Sequence, residues 1–152
     1  MENDEHVALL KKGVAAWNAW RKENPDIDPD LFGADLFEAN LAGADLTGAS
    51  LAGADLTRAN ISKANLKRAQ LTAATLRGAD LTEADLTGAN LTGADLAETT
   101  LQKTVFGFIP FDTVKGLEHC RHLGPSSINN LVLERSKPVP VALLRGEGSR
   151  TS

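Results

Sequence analysis

The chain has 152 residues, 42% of them hydrophobic, and a formal charge of -4. That length suits one domain that buries a core without staples, and the mild acidity argues against non-specific nucleic-acid or anionic-membrane binding as the main activity. Aromatic residues are only 5%, Tyr is missing, and Cys120 is the single cysteine, so an internal disulfide is excluded and the core must be filled by something small and regular.

The first residues, Met1 to His6, are polar and acidic, unlike the basic start and apolar stretch of a secretory leader. No apolar run is long enough to span a membrane, and a cytoplasmic protein is expected. Residues 4–23 form the first expected element, a helix. Val7, Leu10, Val14 and Trp17 fall on one helical face, with Leu9, Ala16 and Trp20 close by. Asp4 or Asn3 suits its start, and Asn24-Pro25 ends it. Two roles are open to it: a lid on the first coil of the repeat region, received by Phe32 and Phe37, or a partner-binding or dimerising helix presenting Trp17 and Trp20.

From Leu31 to Phe106 an apolar residue falls at every fifth position, sixteen times without a slip. Two positions before these residues runs a second register, alanine thirteen times in succession from Ala34 to Ala94. A repeat this regular decides the architecture. Five residues of α-helix advance about 500°, which would spread the leucines over every face. On a flat strand an odd period sends alternate leucines to opposite faces. Within one repeat, however, Ala and Leu are two apart and point the same way, so each repeat reads as a short extended side plus a corner.

Four right-angled corners close a coil of about twenty residues, and the coils stack at roughly 4.8 Å. Sixteen repeats then give about four coils and a column on the order of 20 Å long, with leucine over leucine and alanine over alanine inside. Each buried leucine contributes ~1.5–3 kcal/mol, and alanine is required where the square has no room for more. The expected fold is an all-β solenoid, a quadrilateral β-helix, with an N-terminal helical cap over 1–26, the repeats over 27–111, and a C-terminal capping segment and tail over 112–152.

The runs Ala34-Asp35-Leu36, Ala44-Asp45-Leu46, Ala54-Asp55-Leu56 and Ala89-Asn90-Leu91, each followed by two variable residues, resemble the pentapeptide-repeat family. The resemblance covers about half the chain, and it implies a right-handed coil, which spacing alone does not show.

Beyond Phe106 the pattern dissolves. Val105, Phe106, Phe108, Ile109 and Phe111 form an aromatic cluster suited to covering the last coil. Short helices are expected around 113–122 and 127–135, separated by Gly124-Pro125, then an extended stretch at Pro138 and Pro140 and a loose tail from Gly146 to Ser152. Lys115-Gly116-Leu117-Glu118, His122-Leu123-Gly124-Pro125-Ser126-Ser127 and Leu144-Arg145-Gly146 resemble the segment that joins pentapeptide repeats to a TIR domain in some bacterial proteins. Trp17-Asn18-Ala19-Trp20-Arg21, Asn24-Pro25 and Pro29-Asp30-Leu31 resemble their helical entry. The chain ends where that domain would begin, so TIR activity such as nicotinamide-dinucleotide hydrolysis is not expected. The resemblance leaves a scaffold or sensor half beside a separately encoded effector.

Nothing in the sequence reads as catalytic, and no cofactor or metal is expected. Asp35, Asp45, Asp55, Asp80, Asp85 and Asp95 each precede a central leucine, and Asn40, Asn60, Asn65 and Asn90 share the position. A charge is therefore not required there, and turn chemistry explains the residue type. His119, Cys120 and His122 have metal-ligand side chains but no partner motif, and read as a packed cysteine between two ordinary histidines. The glycines recurring at Gly43, Gly48, Gly53, Gly78, Gly88 and Gly93 are corner residues, and no nucleophile-elbow, phosphate-loop or zinc-helix motif occurs.

Charge is unevenly spread. Arg58, Lys63, Lys67, Arg68 and Arg77 form a basic belt between two acidic bands. The plain reading is a solvated surface with salt links between coils, each worth ~0–1 kcal/mol; the functional one is a docking site for an acidic partner. A protein partner of unknown identity is expected, with no membrane. Direct nucleic-acid binding is not expected, because cations wrapped around a column cannot all face one duplex. The chain should be a monomer or weak dimer. The function expected is a non-enzymatic scaffold or protein–protein interaction module. The alternative is a nucleic-acid mimic modulating gyrase, as the quinolone-resistance members of the family do. Those are longer, dimeric and acidic along the column, and the belt departs from that pattern.

Overall fold

In a computed structural model, residues 3–123 and the backbone of residues 127 and 128 are described. Two helices come first, α1 (Asn3–Lys11) and α2 (Val14–Glu23). The single helix expected over 4–23 is broken at Gly13, whose φ of 128° no helix accommodates. The break lets each half dock separately on the first coil. His6, Leu10, Trp17 and Arg21 are the buried residues of the pair, while Val7 and Val14 are only half-buried. Asn24 ends α2, its N–H returning to the carbonyls of Trp20 and Arg21.

The repeat region is a ladder with a step of twenty. Parallel bridges join Asp30 to Ser50, Asp35 to Asp55, Asn40 to Asn60 and Asp45 to Asn65, and the same step continues to Asp95 and Lys115. Four five-residue repeats thus complete one coil. Within a repeat the alanine N–H closes a turn on the preceding leucine carbonyl, as from Ala34 to Leu31 at 3.1 Å. Between coils the leucine N–H and the corner N–H both reach the next coil: Leu31 to Ser50 at 2.8 Å and Gly33 to Ala52 at 2.9 Å. The third residue of each turn is left-handed, φ lying between 52° and 73° from Gly33 to Phe108. A type II turn requires that conformation, and nine of the sixteen corner residues meet it without being glycine.

The core is built on the two registers. Leu31 to Leu101 are all 2% exposed or less, and Ala44 to Ala94 are 3% or less. Thr99 and Thr104 extend the alanine register and are fully buried. Their hydroxyls donate to Leu96 O at 2.7 Å and Leu81 O at 2.8 Å, so the larger polar side chain is tolerated because it is bonded.

Past the repeats the structure departs from the expected helices. The chain continues the ladder instead, because the fourth coil otherwise ends in a row of unpaired backbone groups. Strands β1 (Thr100–Leu101) and β2 (Val105–Phe106) pair in parallel with β3 (Arg121–His122) and β4 (Ser127–Ile128). The step stretches from Asp95–Lys115 to Thr100–Arg121 and then Val105–Ser127, one added residue each time. A single 3₁₀ turn, Leu117–His119, takes up the first. Gly116 stands where a leucine would; a Cβ there would lie 2.5 Å from Ala97 N, and Leu117 fills the core instead. Of the expected aromatic cover, Phe106, Ile109 and Phe111 are buried, with Phe106 and Phe111 edge-to-face at 5.5 Å. Phe108 is exposed because it occupies an outward left-handed corner. The rest of the helix expected at 127–135, the extended stretch at Pro138 and Pro140 and the tail lie outside the described residues.

Candidate functional site

Two parts of the surface depart from the repeat's own rule: the corners of the middle coil and the end of the column that meets α1 and α2. The acidic residues before the leucines are not among them. Asp55 accepts the N–H of Thr57 at 2.9 Å, Asn60 that of Ser62 at 3.1 Å, and Asp95 that of Ala97 at 2.9 Å. Asp and Asn do the same work, closing a small ring over the adjoining turn. The Thr57 hydroxyl and N–H hold the Asp55 carboxyl below the usual carboxylate range. For Asp85 burial pushes upward, yet the Thr87 hydroxyl and N–H, with Lys67, bring it lower on balance.

The five belt residues divide into two groups. Arg58 reaches Glu38 on the coil before it at 3.0 Å and lies 5.9 Å from the Phe37 ring centre. Lys67 meets Asp85 at 3.5 Å, and Arg77 meets Asp95 at 3.2 Å and Glu98 at 3.8 Å. These three are links between coils. Lys63 and Arg68 are exposed at left-handed corners, with φ of 58° each, and among the described residues neither has a carboxylate within 4.0 Å. They stand at adjacent corners of one coil, so a partner touching both must wrap the edge between them.

At the other site, Trp17 and Trp20 do not form an exposed pair. Trp17 is fully buried and donates its indole N–H to Asp45 O at 2.8 Å, while Trp20 packs beside it at 5.3 Å. Phe32 and Phe37 are not buried beneath the helices as the sequence suggested: at outward turn positions they remain 65% and 49% exposed, Phe37 lining the same cavity as Leu10 and Val14. The helices seat Leu10 and Trp17 in the apolar core, and their polar side chains meet the first coil's bare backbone. Asn18 accepts the N–H of Asp45 at 2.8 Å and donates to Gly43 O at 3.0 Å. Arg21 donates to the carbonyls of Ile27 and Thr47, and His6 Nδ1 accepts the Asp30 N–H at 2.9 Å. Asn3 reaches Asp30 O and Phe32 O at 3.1 and 3.2 Å. Sequence reasoning missed these polar residues, since a hydrophobic period makes a polar helix face look solvated. The signal available was the demand of an open strand edge for partners.

His119, Cys120 and His122 are not brought together. Cys120 is buried, its Sγ 3.2 Å from both Leu96 O and Thr99 Oγ1, and burial pushes its thiol up to about 11. His119 is exposed beside Glu118, whereas His122 is buried and burial lowers its pKa below the usual 6.5. Among the described residues no cluster of His, Cys, Asp and Glu could hold a metal ion, and no helix is long and apolar enough to cross a membrane.

These features define a four-sided parallel solenoid whose chemistry lies on its corners and ends. Residues 34–71 and 64–102 match the family model described as pentapeptide repeats, in eight copies. The repeat region belongs to the pentapeptide-repeat family. The chain is similar to Rfr23, a pentapeptide repeat protein from the cyanobacterium Cyanothece 51142, with 32% identity and a TM-score of 0.55. That match covers 68% of this chain and 63% of Rfr23, so the chain spans less than two thirds of that relative. It is also similar to alr5209, a pentapeptide repeat protein from Nostoc Pcc 7120, at 29% identity and a TM-score of 0.52 over 87% of this chain and 93% of the other. Full-length QnrB1, a plasmid-mediated fluoroquinolone resistance protein, is 14% identical with a TM-score of 0.28 over 74% of this chain and 81% of its own, too distant to carry an argument. No curated protein matches the chain. Family membership carries the right-handed quadrilateral β-helix, and members are generally structural or interaction proteins rather than enzymes.

Proposed function

We propose that this protein is a non-enzymatic interaction module, a β-helical column capped by α1 and α2 that presents its corners to a protein partner. The observation that carries the reading is the pair Lys63 and Arg68, exposed on adjacent corners without a carboxylate partner among the described residues, while every central leucine behind them is sealed. The leucine and alanine registers are buried along the column, so selectivity has to be expressed on its surface and at its ends. A cytoplasmic location and an acidic partner surface fit this reading. The flanking resemblance supports a narrower form of it, the non-catalytic part of a TIR-type system.

The gyrase-modulator alternative draws on the acidic residues Asp35, Glu38, Asp55, Asp95 and Glu98, which lie on one side of the column. Arg58 and Arg77 already engage Glu38, Asp95 and Glu98, so that side is not a continuous negative strip. The test is affinity capture from native lysate with the wild type and with an Arg58→Glu, Lys63→Glu, Arg68→Glu variant. A partner held by the wild type and lost by the variant is the expected result. A partner held equally by both removes the belt from the proposal, and stoichiometric inhibition or protection of purified gyrase in a supercoiling assay replaces the scaffold reading with the mimic.

A further inference from the structure

The first coil is closed on two of its sides and open on the other two. Between inner rungs three backbone groups per side are always used. Asp55 N–H donates to Ala34 O at 3.0 Å, Asp55 O receives Leu36 N–H at 2.8 Å, and Thr57 O receives Glu38 N–H at 2.9 Å. The first coil has no rung before it. On two sides the side chains of Asn3, His6, Trp17, Asn18 and Arg21 stand in, serving Asp30, Phe32, Asp45 and Thr47. On the other two sides no described residue does. The N–H groups of Asp35 and Asn40 donate to none of the described residues, and the carbonyls of Asp35, Phe37, Asn40 and Ala42 accept from none of them.

The same edge borders a cavity of about 580 Å³, with Leu10 and Val14 of the helices on one wall and Leu36, Ala39 and Leu41 on the other. Ala39 is the one alanine of the register from Ala34 to Ala94 that is only half-buried. The apolar column is therefore incompletely covered at Ala39, although Leu36 and Leu41 stay buried, beside the unpaired backbone.

We propose that this edge takes an extended segment of a partner polypeptide as one additional rung, a case of β-strand addition. The site is continuous with the rung-on-rung interface of the column, and that interface specifies the occupant. The segment runs parallel to residues 35–42. It offers one carbonyl to Asp35 N–H, then N–H groups two and four residues later to the carbonyls of Asp35 and Phe37, and repeats the set at Asn40 and Ala42. In that register side chains of leucine size fall over Leu36 and Leu41, which line the cavity, and a small one falls over Ala39 between them. Proline cannot stand at either N–H position, and glycine or asparagine suits the corner. A cavity of this size holds the side chains of one strand and not a second column.

The proposal rests on the interaction-module reading but on a site away from Lys63 and Arg68, and the two fail separately. The probe is an acetylated, amidated peptide copying residues 84–93, ADLTGANLTG, titrated into the isotope-labelled full chain. Saturable shifts of the Asp35 and Asn40 amides are expected, with their hydrogen exchange slowed about tenfold or more. The same peptide N-methylated at both leucines should bind about tenfold more weakly or not at all. Ala39→Leu, which fills the cavity from the protein's side, should abolish binding without lowering the melting temperature. A Lys63→Glu, Arg68→Glu variant, which leaves Arg58 on Glu38 and Phe37, should bind the peptide as the wild type does. Shifts confined to other residues, equal binding of the N-methylated peptide, or undiminished binding by a folded Ala39→Leu protein would overturn the proposal. Asp35 and Asn40 amides already protected in a self-associating, peptide-free chain would also overturn it, by assigning the edge to a second copy. If Ala39→Leu does not fold, the N-methylated peptide decides alone.

Discussion

Replacing Ala64 by leucine tests the inward register directly. Ala64 is 1% exposed, its N–H bonded to Ile61 O at 3.2 Å and its carbonyl receiving Asp85 N–H at 3.1 Å. Both peptide groups are tied, so the backbone has little freedom to back away. Ala44 and Ala84 hold the same place one coil before and after, each fully buried. Three extra carbons must therefore enter space already filled. Overpacking of this kind costs ~1–3 kcal/mol, which for a chain of this length lowers the melting midpoint by roughly 2–12 °C. Lys63 is the comparison, one residue away and exposed at a left-handed corner. Lys63→Leu exchanges one non-glycine residue for another at the same φ and should move stability by no more than about 0.5 kcal/mol. Thermal unfolding followed by circular dichroism, at one pH and one protein concentration, separates the two. Equal shifts for Ala64→Leu and Lys63→Leu would refute the reasoning, because they would mean the alanine register has as much room as the solvent.

Single residues give three further expected outcomes. Ala73 holds a corner at φ 56° while exposed, so Ala73→Gly should raise stability by about 0.5–1 kcal/mol, read as a higher melting point. His6 and His122 have pKa values lowered by burial from the usual 6.5. The unfolded chain then takes up protons first, so their contribution is complete above about pH 6.5 and is lost as pH falls toward the lowered folded values. Melting temperature should therefore drop through that window, and His6→Gln should flatten part of the slope while changing exchange at the Asp30 amide. Cys120, buried with its thiol near 11, should resist a thiol reagent at pH 8 in the native protein and react fully once it is unfolded; rapid native labelling would contradict its placement.

Much of the fold was legible because the repeat couples two registers to one geometry. Leucine and alanine two apart, then a turn, left no regular alternative, and the twenty-residue coil came from closure. The turn role of Asp and Asn was legible for the same reason, since Asp55 and Asn60 make the same bond. What was not legible depends on contacts that no local pattern encodes. The residues after Phe111 have helix-like composition around Leu117, yet the open edge of the fourth coil draws Arg121 and His122 into parallel pairing. Likewise Phe32 and Phe37 looked like receptors for a helix because they are large, whereas their turn position fixes where they point regardless of size. The belt's division into bonded and unbonded cations needed the vertical neighbours: Arg58 has Glu38 on the coil before it, and only the coil length, once fixed, reveals that.

A column of identical rungs offers a partner no reason to choose one place over another. Its leucines are hidden, its backbone bonds are internal, and its turn residues are engaged with themselves. Selectivity must come from positions where the period is broken or where it stops. Lys63 and Arg68 break the charge balance on one coil. Ala39, Asp35 and Asn40 mark where the stack stops without being closed, beside two sides that helix side chains do close. The two kinds of site make different demands. The corners attract an acidic surface through charge alone and should weaken as salt rises. The open edge asks for main-chain hydrogen bonds and aliphatic side chains, and should be nearly indifferent to salt. Binding to the whole protein measured at low and high ionic strength therefore distinguishes which of the two a natural partner uses, before any residue is changed.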